Sequence, residues 1–176
     1  MKKLLGKILF ILAVGLFTAC SPLPDPAPSP RVRDNFDTNW RFHLGDLRNA
    51  EQPSFDDSSW RQLNLPHDWA IEGDFSADNP SGPGGGALPG GVGWYRKHFD
   101  IDSTLLSSGK RIYLDFDGVY MLSEVFVNGH STGIRPYGYI SFRRDITPYL
   151  QAGTNVVAVR VDNSEQPNSR WYSGCG

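Results

Sequence analysis

Hydrophobic positions in this chain follow two patterns. Ile8 to Phe17 is an almost unbroken apolar run, whereas from Trp40 onward apolar residues recur at every second position in short stretches bounded by Gly, Pro, Asn and Asp. Period two is that of a pleated strand, not a helix. Asn39–Leu44 sets Trp40 and Phe42 against Arg41 and His43. Trp94–Ile101 sets Tyr95, Phe99 and Ile101 against Arg96, His98 and Asp100, which predicts a strand with one wet face. Arg111–Phe116 places Ile112, Leu114 and Phe116 on one side, and Asn155–Val161 gives Val157, Val159 and Val161 to a core. Leu122–Val127 runs into Asn128-Gly129, a strong hairpin signal because both residues accept the backbone of a tight turn. Phe55–Trp60 reads as a turn anchored by its two aromatics, and Asp145–Leu150 as an Asp-capped helical turn ended by Gly153. With many short strands and no long helix, the pattern predicts an all-β fold, an antiparallel β-sandwich.

The apolar run has another meaning. Lys2, Lys3 and Lys7 precede it, and its ten residues rise only about 15 Å as a helix, against the roughly 30 Å of a bilayer core. Met1–Cys20 therefore reads as an export signal. Thr18-Ala19-Cys20 resembles a bacterial lipoprotein cleavage site, although Phe17 stands where Leu is typical, with Leu16 one place earlier. Lipid on Cys20 is expected; cleavage near Ala19, leaving a free thiol, is the alternative. Ser21–Val32 follows as a linker, and its alternating prolines favour a polyproline II spacer about 30 Å long. The localisation this predicts is export, with membrane anchoring that faces the periplasm or cell exterior. A lipidated Cys20 leaves Cys175 as a lone thiol, expected to be a small buried residue because no His lies near it in sequence.

Composition narrows the chemistry. A net charge of −2 with no basic run after Lys7 gives no footprint for nucleic acid. His43, His67, His98 and His130 lack metal-ligand spacing, so no metal or cofactor is expected. Gly82–Gly93 holds seven glycines but is followed by a strand, with no Lys-Ser or Lys-Thr pair, so it is not a phosphate loop. It is either a flexible surface loop or one whose backbone approaches a ligand or neighbouring domain closely. Beyond Val161, the segment VDNSEQPNSRWYSGCG groups Asp162, Asn163, Asn168, Arg170 and Trp171. These suit a polar ligand site, since amides and carboxylates fork onto hydroxyls; Asx turns tying a solvated loop are the alternative. Trp69, Trp94, Trp171 and Tyr172 suit either ring stacking or, more commonly in a sandwich, the core.

Five segments occur in order: LPHDWAIEGDF (Leu65–Phe75), GPGGGALPGGVGWYRKHF (Gly82–Phe99), VFVNGH (Val125–His130), RPYGYISFRRDITPYL (Arg135–Leu150) and the VDNSEQPNSRWYSGCG ending. Together they resemble the amino-terminal sugar-binding domain of glycoside hydrolase family 2, the β-galactosidase and β-glucuronidase family. The likeness covers Arg33–Gly176 and is strongest to bacterial β-galactosidases with the SRWYSG form. It implies a jelly roll of the galactose-binding-like kind and an enzyme that hydrolyses terminal β-glycosides with retention. The two glutamates of that reaction sit, in the family, on a later (β/α)₈ barrel, so no catalytic residue is assigned to this chain and the domain positions the sugar. Asn168 stands where the family often has Asp. Asp68 of the HDW motif, Asp162 and Asn163 are expected near the barrel mouth, with Arg170 and Trp171 in the same loop. The family's loop runs on into a strand near Ser173-Gly174, so Gly176 reads as a truncation. Expected partners are a β-galactoside or related glycan, the remaining domains of the polypeptide, and a membrane through Cys20. Two other functions stay open: a free-standing lipid-anchored carbohydrate-binding module, and a purely structural interaction domain.

Overall fold

The computed structural model describes residues 31–165. The chain divides into two compact units, Met1–Asp34 and Asn35–Gly176. Of the first, the described residues 31–34 are irregular and exposed. The predicted signal with Cys20 and the linker as far as Pro30, like Asn168, Arg170, Trp171, Tyr172 and Cys175, lie outside the described residues.

The second unit is an antiparallel β-sandwich. Its larger sheet has the strand order β2-β1-β3-β8-β5-β6, and its smaller sheet pairs β4 with β7. The strands are β1 (Trp40–Leu44), β2 (Arg61–Leu63), β3 (Val92–Ile101), β4 (Tyr113–Phe116), β5 (Ser123–Val127), β6 (His130–Arg135), β7 (Phe142–Asp145) and β8 (Gly153–Asp162). Among the described residues a single short α-helix, α1 (Ser103–Ser107), begins where the Asp102 carboxylate accepts from Thr104 N at 2.7 Å. Between the sheets, Trp40, Phe42, Tyr95, Val125, Val127, Val157, Val159 and Val161 form the main core, with Leu114, Phe116 and Phe142 of the smaller sheet packed against it.

Local signals translate directly. Asn128 and Gly129 take φ of +51° and +82°, and Val127 faces His130 across the turn. Asp145 Oδ1 accepts from Thr147 N at 3.1 Å and starts a short 3-10 turn at Thr147–Tyr149. That turn ends in extended backbone at Leu150; Gly153, expected to close it, instead opens β8 with φ of +83°.

The wet face expected for β3 exists only at its far end. His98 and Asp100 are exposed, but Gly93 to Lys97 are buried without interruption. The cause is a third layer. Residues 45–60 fold over the outer face of β3 and β8, where Ala50, Trp60, Trp94 and Ala158 make a second core. Arg96 points into this layer at 0% exposure and fastens it. Its Nε donates to Asp57 Oδ2 at 2.7 Å, and its Nη1 donates to the carbonyls of Ala50 and of Gln52, the latter at 3.1 Å. His98 Nε2 lies 2.9 Å from the same Asp57 oxygen, and Arg41 pairs with Oδ1. Burial pushes the Asp57 carboxyl up, but the hydrogen bonds and charges of Arg96 and His98 more than reverse this and hold it below its ordinary value.

Candidate functional site

Three loops meet at one end of the sandwich. The larger sheet brings the start of β3 beside the end of β8, with Val92 opposite Asp162 and Gly93 opposite Val161. The HDW segment passes beneath this corner. Trp69 stacks on Phe42 at 5.7 Å between ring centroids, and a Cβ on Gly93 would lie 3.0 Å from both rings. Gly73, just beyond, abuts Pro89 of the glycine-rich loop so closely that a Cβ would lie 2.8 Å from its ring. The glycine-rich loop in turn meets the exit of β8: a Cβ on Gly90 would lie 2.8 Å from the Asn163 carbonyl oxygen. Its close approach is therefore made, among the described residues, to the chain's own loops. Ser81 and Asn79 tie the loop's other end through Leu88 and Ala87.

The structure brings the loops of Asp68, Asp162 and Asn163 together, and each side chain holds backbone. Asp68 Oδ1 accepts from Ala70 N at 2.9 Å, shaping the 3-10 turn Ala70–Glu72. Asp162 Oδ1 accepts from the Ser164 N–H and hydroxyl at 3.0 and 2.5 Å, an Asx turn at the strand exit. Asn163, 1% exposed, clamps the glycine loop twice. Its Oδ1 accepts from Gly91 N at 2.8 Å and its own N–H donates to Gly91 O at 2.9 Å. Removing the side chain takes the acceptor from the half-buried Gly91 N–H and empties a buried site, so Asn163→Ala is expected to lower stability by about 1 kcal/mol or more. Amide exchange of Gly91 should quicken while β5 stays protected. Unchanged urea unfolding and unchanged Gly91 exchange would show that the clamp carries no weight.

Sequence pattern gives His67 no site role, but the structure sets it between Tyr95 and Glu72. Nδ1 lies 2.8 Å from the Tyr95 hydroxyl, and Nε2 lies 3.4 Å from Glu72 Oε2 without hydrogen-bond geometry. Arg61 forks onto Glu72 at 2.6 and 2.7 Å and, with His67 adding, holds that carboxyl at about 2. Burial pushes the Tyr95 phenol well above its ordinary range, with the carboxylates of Asp68 and Glu72 adding to the effect, so it stays a hydroxyl. The HDW motif was the available signal, but its partners Tyr95 and Glu72 are fixed only by the fold. Trp69 and Trp94 are core residues at 5% and 3% exposure, as the commoner reading of such aromatics expects. The buried Trp69 Nε1 has no hydrogen-bond acceptor.

Two recesses flank this end. One, of about 300 Å³, opens between the sheets and is lined by Trp40, His67, Tyr95, Phe116, Val119 and Val159 among others. The other, of about 400 Å³, lies on the surface beside Trp60, Arg61, Trp69 and Glu72. Neither is lined by Asp68, Asp162 or Asn163. Among the described residues, no group of three His, Cys, Asp or Glu side chains is placed to hold a metal ion.

The geometry defines a β-sandwich module whose polar loops converge at one end, stiffened from within. Comparison with known proteins then gives its kinship. A family model described as glycosyl hydrolases family 2, sugar binding domain, matches residues 86–174, and the chain belongs to this family. It is 68% identical over 149 residues to the β-galactosidase BoGH2A of Bacteroides ovatus, a match covering 84% of this chain but only 17% of that protein. Among solved structures, a β-glycosidase from Bacteroides vulgatus superimposes with a TM-score of 0.75 at 50% identity, covering 81% of this chain and 18% of its own. A β-glucuronidase of Bacteroides uniformis follows at a TM-score of 0.65 and 28% identity, covering 77% and 15%.

Proposed function

We propose that this chain is the amino-terminal, sugar-positioning part of an exported glycoside hydrolase of β-galactosidase type. The observation that carries the reading is the 68% identity to the Bacteroides ovatus β-galactosidase along nearly the whole sandwich. In this reading the two carboxyls of the retaining reaction belong to a barrel further along the polypeptide. The loop after β8, with Asn168, Arg170 and Trp171, reaches the barrel mouth and holds sugar hydroxyls. Asp162 and Asn163 set where that loop departs, and the clamp on Gly91 fixes the neighbouring wall. Asp68 shapes the segment below them.

The test is turnover. The polypeptide encoded by the extended reading frame should hydrolyse an aryl β-galactoside, and the 176-residue chain should not. Turnover by the purified 176-residue chain, abolished by replacing one of its own acidic residues, would overturn the reading. A frame that stops after Gly176 would favour the free-standing carbohydrate-binding module.

Anchoring is the second part of the proposal. Cys20 carries lipid after removal of the signal, and the Ser21–Val32 spacer holds the sandwich off the membrane. One acyl chain binds a bilayer only marginally, so stable anchoring rests on the several chains of a bacterial lipoprotein. Wild-type protein should sediment with membranes, and Cys20→Ser should release it. Soluble wild-type protein with an unmodified Cys20 would contradict the anchor.

A further inference from the structure

The recess of about 400 Å³ lies at the edge of the larger sheet, where β2 ends the strand order and Phe42 of β1 pairs with Arg61. Its floor is aromatic. Trp69 stacks on Phe42, and His43 stacks on Trp60 at 5.4 Å between ring centroids. Both indoles are buried, so the core fixes their positions. The rim is polar and exposed, made by Ser59, Arg61, Glu72 and Gly73. Arg61 and Glu72 are 54% and 40% exposed at the side chain, yet they are locked in a fork of two hydrogen bonds, 2.6 and 2.7 Å long. A pair this exposed adds little to stability. The fork instead holds a fixed row of donors and acceptors at the recess. The guanidinium keeps N–H groups beyond those it gives to Glu72, and each carboxylate oxygen keeps a lone pair.

We propose that this recess binds a neutral sugar residue. Size, composition and charge select that ligand class. The volume falls within the range of small-molecule sites, about 300–1,000 Å³. The C–H faces of a pyranose pack on aromatic walls, while its neighbouring hydroxyls, each both donor and acceptor, match the two halves of the fork. At the rim the guanidinium and the carboxylate cancel. Glu72 stays ionised, because the Arg61 fork holds its carboxyl at about 2. A uronate or a phosphate therefore meets the Glu72 charge, and an ammonium meets that of Arg61. A neutral polyol meets neither penalty. The inference stands apart from the hydrolase reading: all the residues it uses belong to this chain, and none of Asp68, Asp162 and Asn163 lines the recess.

Amide NMR of the isotope-labelled 176-residue chain tests this, with the methyl β-glycosides of galactose, glucose, xylose and glucuronic acid as probes. At least one neutral glycoside should shift the Ser59, Arg61, Glu72 and Gly73 amides saturably in the millimolar range, the affinity open to so small a ligand. Methyl β-glucuronide should not. Glu72→Gln breaks the charge balance. It should weaken the neutral glycoside by about tenfold or more, and methyl β-glucuronide should now bind through the freed Arg61. Arg61→Gln should lose the neutral glycoside and gain no glucuronide. The β5 and β8 amides of both variants should stay as in the wild type, because the pair is exposed. The proposal is overturned if no neutral glycoside moves the recess amides. It is also overturned if methyl β-glucuronide binds the wild type equally well, or if Glu72→Gln changes neither affinity. Shifts confined to residues beyond Asp162 would place the sugar at the loop after β8 and overturn the recess as its site. No outcome needs turnover, so the two ideas fail separately: the recess can bind where the extended polypeptide shows no aryl β-galactosidase activity, and the activity can appear where the recess amides stay still.

Discussion

Asp57→Ala is expected to lower the stability of the sandwich by about 3–5 kcal/mol, because it leaves a buried guanidinium without its counter-charge. Arg96 is wholly buried and Asp57 is 3% exposed, so water cannot replace the lost carboxylate. Arg41 and His98 are each 38% exposed at the side chain and can turn to solvent; Arg96 cannot. The control is a cycle. Asp57→Ala combined with Arg96→Met removes the stranded charge and should recover a large part of the loss. A double variant no more stable than Asp57→Ala alone would show that the ion pair is not what holds residues 45–60 in place. Acid should reveal the same group. Its folded-state pKa lies below its ordinary value of 3.8, so its contribution is fully present above that value and is lost as pH falls through the folded value. The wild-type protein should therefore lose stability on acidification below about pH 4, and Asp57→Ala should show a flatter acid limb.

This buried pair also marks where sequence reading runs out. Trp40 and Phe42 alternate with polar residues because β1 has one covered face, so their strand was legible. Asn128-Gly129 was legible for a different reason: its turn needs only the two residues themselves. Arg96 looked like a solvent-facing residue of β3, because the layer covering it is an irregular segment without hydrophobic period. Val156 and Ala158 of β8 are buried on that same second face, where alternation alone placed only Val157, Val159 and Val161 in a core. The glycine-rich loop showed its need for close approach, but its partner Asn163 is 72 residues from Gly91, and no spacing rule joins them. For Asp162 the local turn-forming alternative was visible in the sequence, and it does form such a bond two residues on, as Asp68 does to Ala70. The family likeness reached further than any of these, since it compares the whole order of segments.

The second large effect concerns Asn168 in the extended enzyme. If Asn168 hydrogen-bonds a sugar hydroxyl beside the scissile bond, part of that contact strengthens as the ring distorts toward the oxocarbenium ion. Asn168→Ala should then lower kcat as well as weaken binding, reducing kcat/KM by about 10²-fold or more, roughly 3 kcal/mol. Asn168→Asp should be milder, because it keeps an acceptor and restores the commoner residue of the family. An Asn168 that merely pins its loop gives the opposite pattern, with both substitutions costing thermal stability and sparing the chemistry.

The most direct test of sugar positioning by this domain is kcat/KM for an aryl β-galactoside together with melting temperature, measured on the extended wild-type enzyme, Asn168→Ala and Asn168→Asp. The account predicts a large kinetic loss for Asn168→Ala at nearly constant melting temperature, partly restored in Asn168→Asp. An Asn168→Ala enzyme that melts lower yet turns over normally would contradict it.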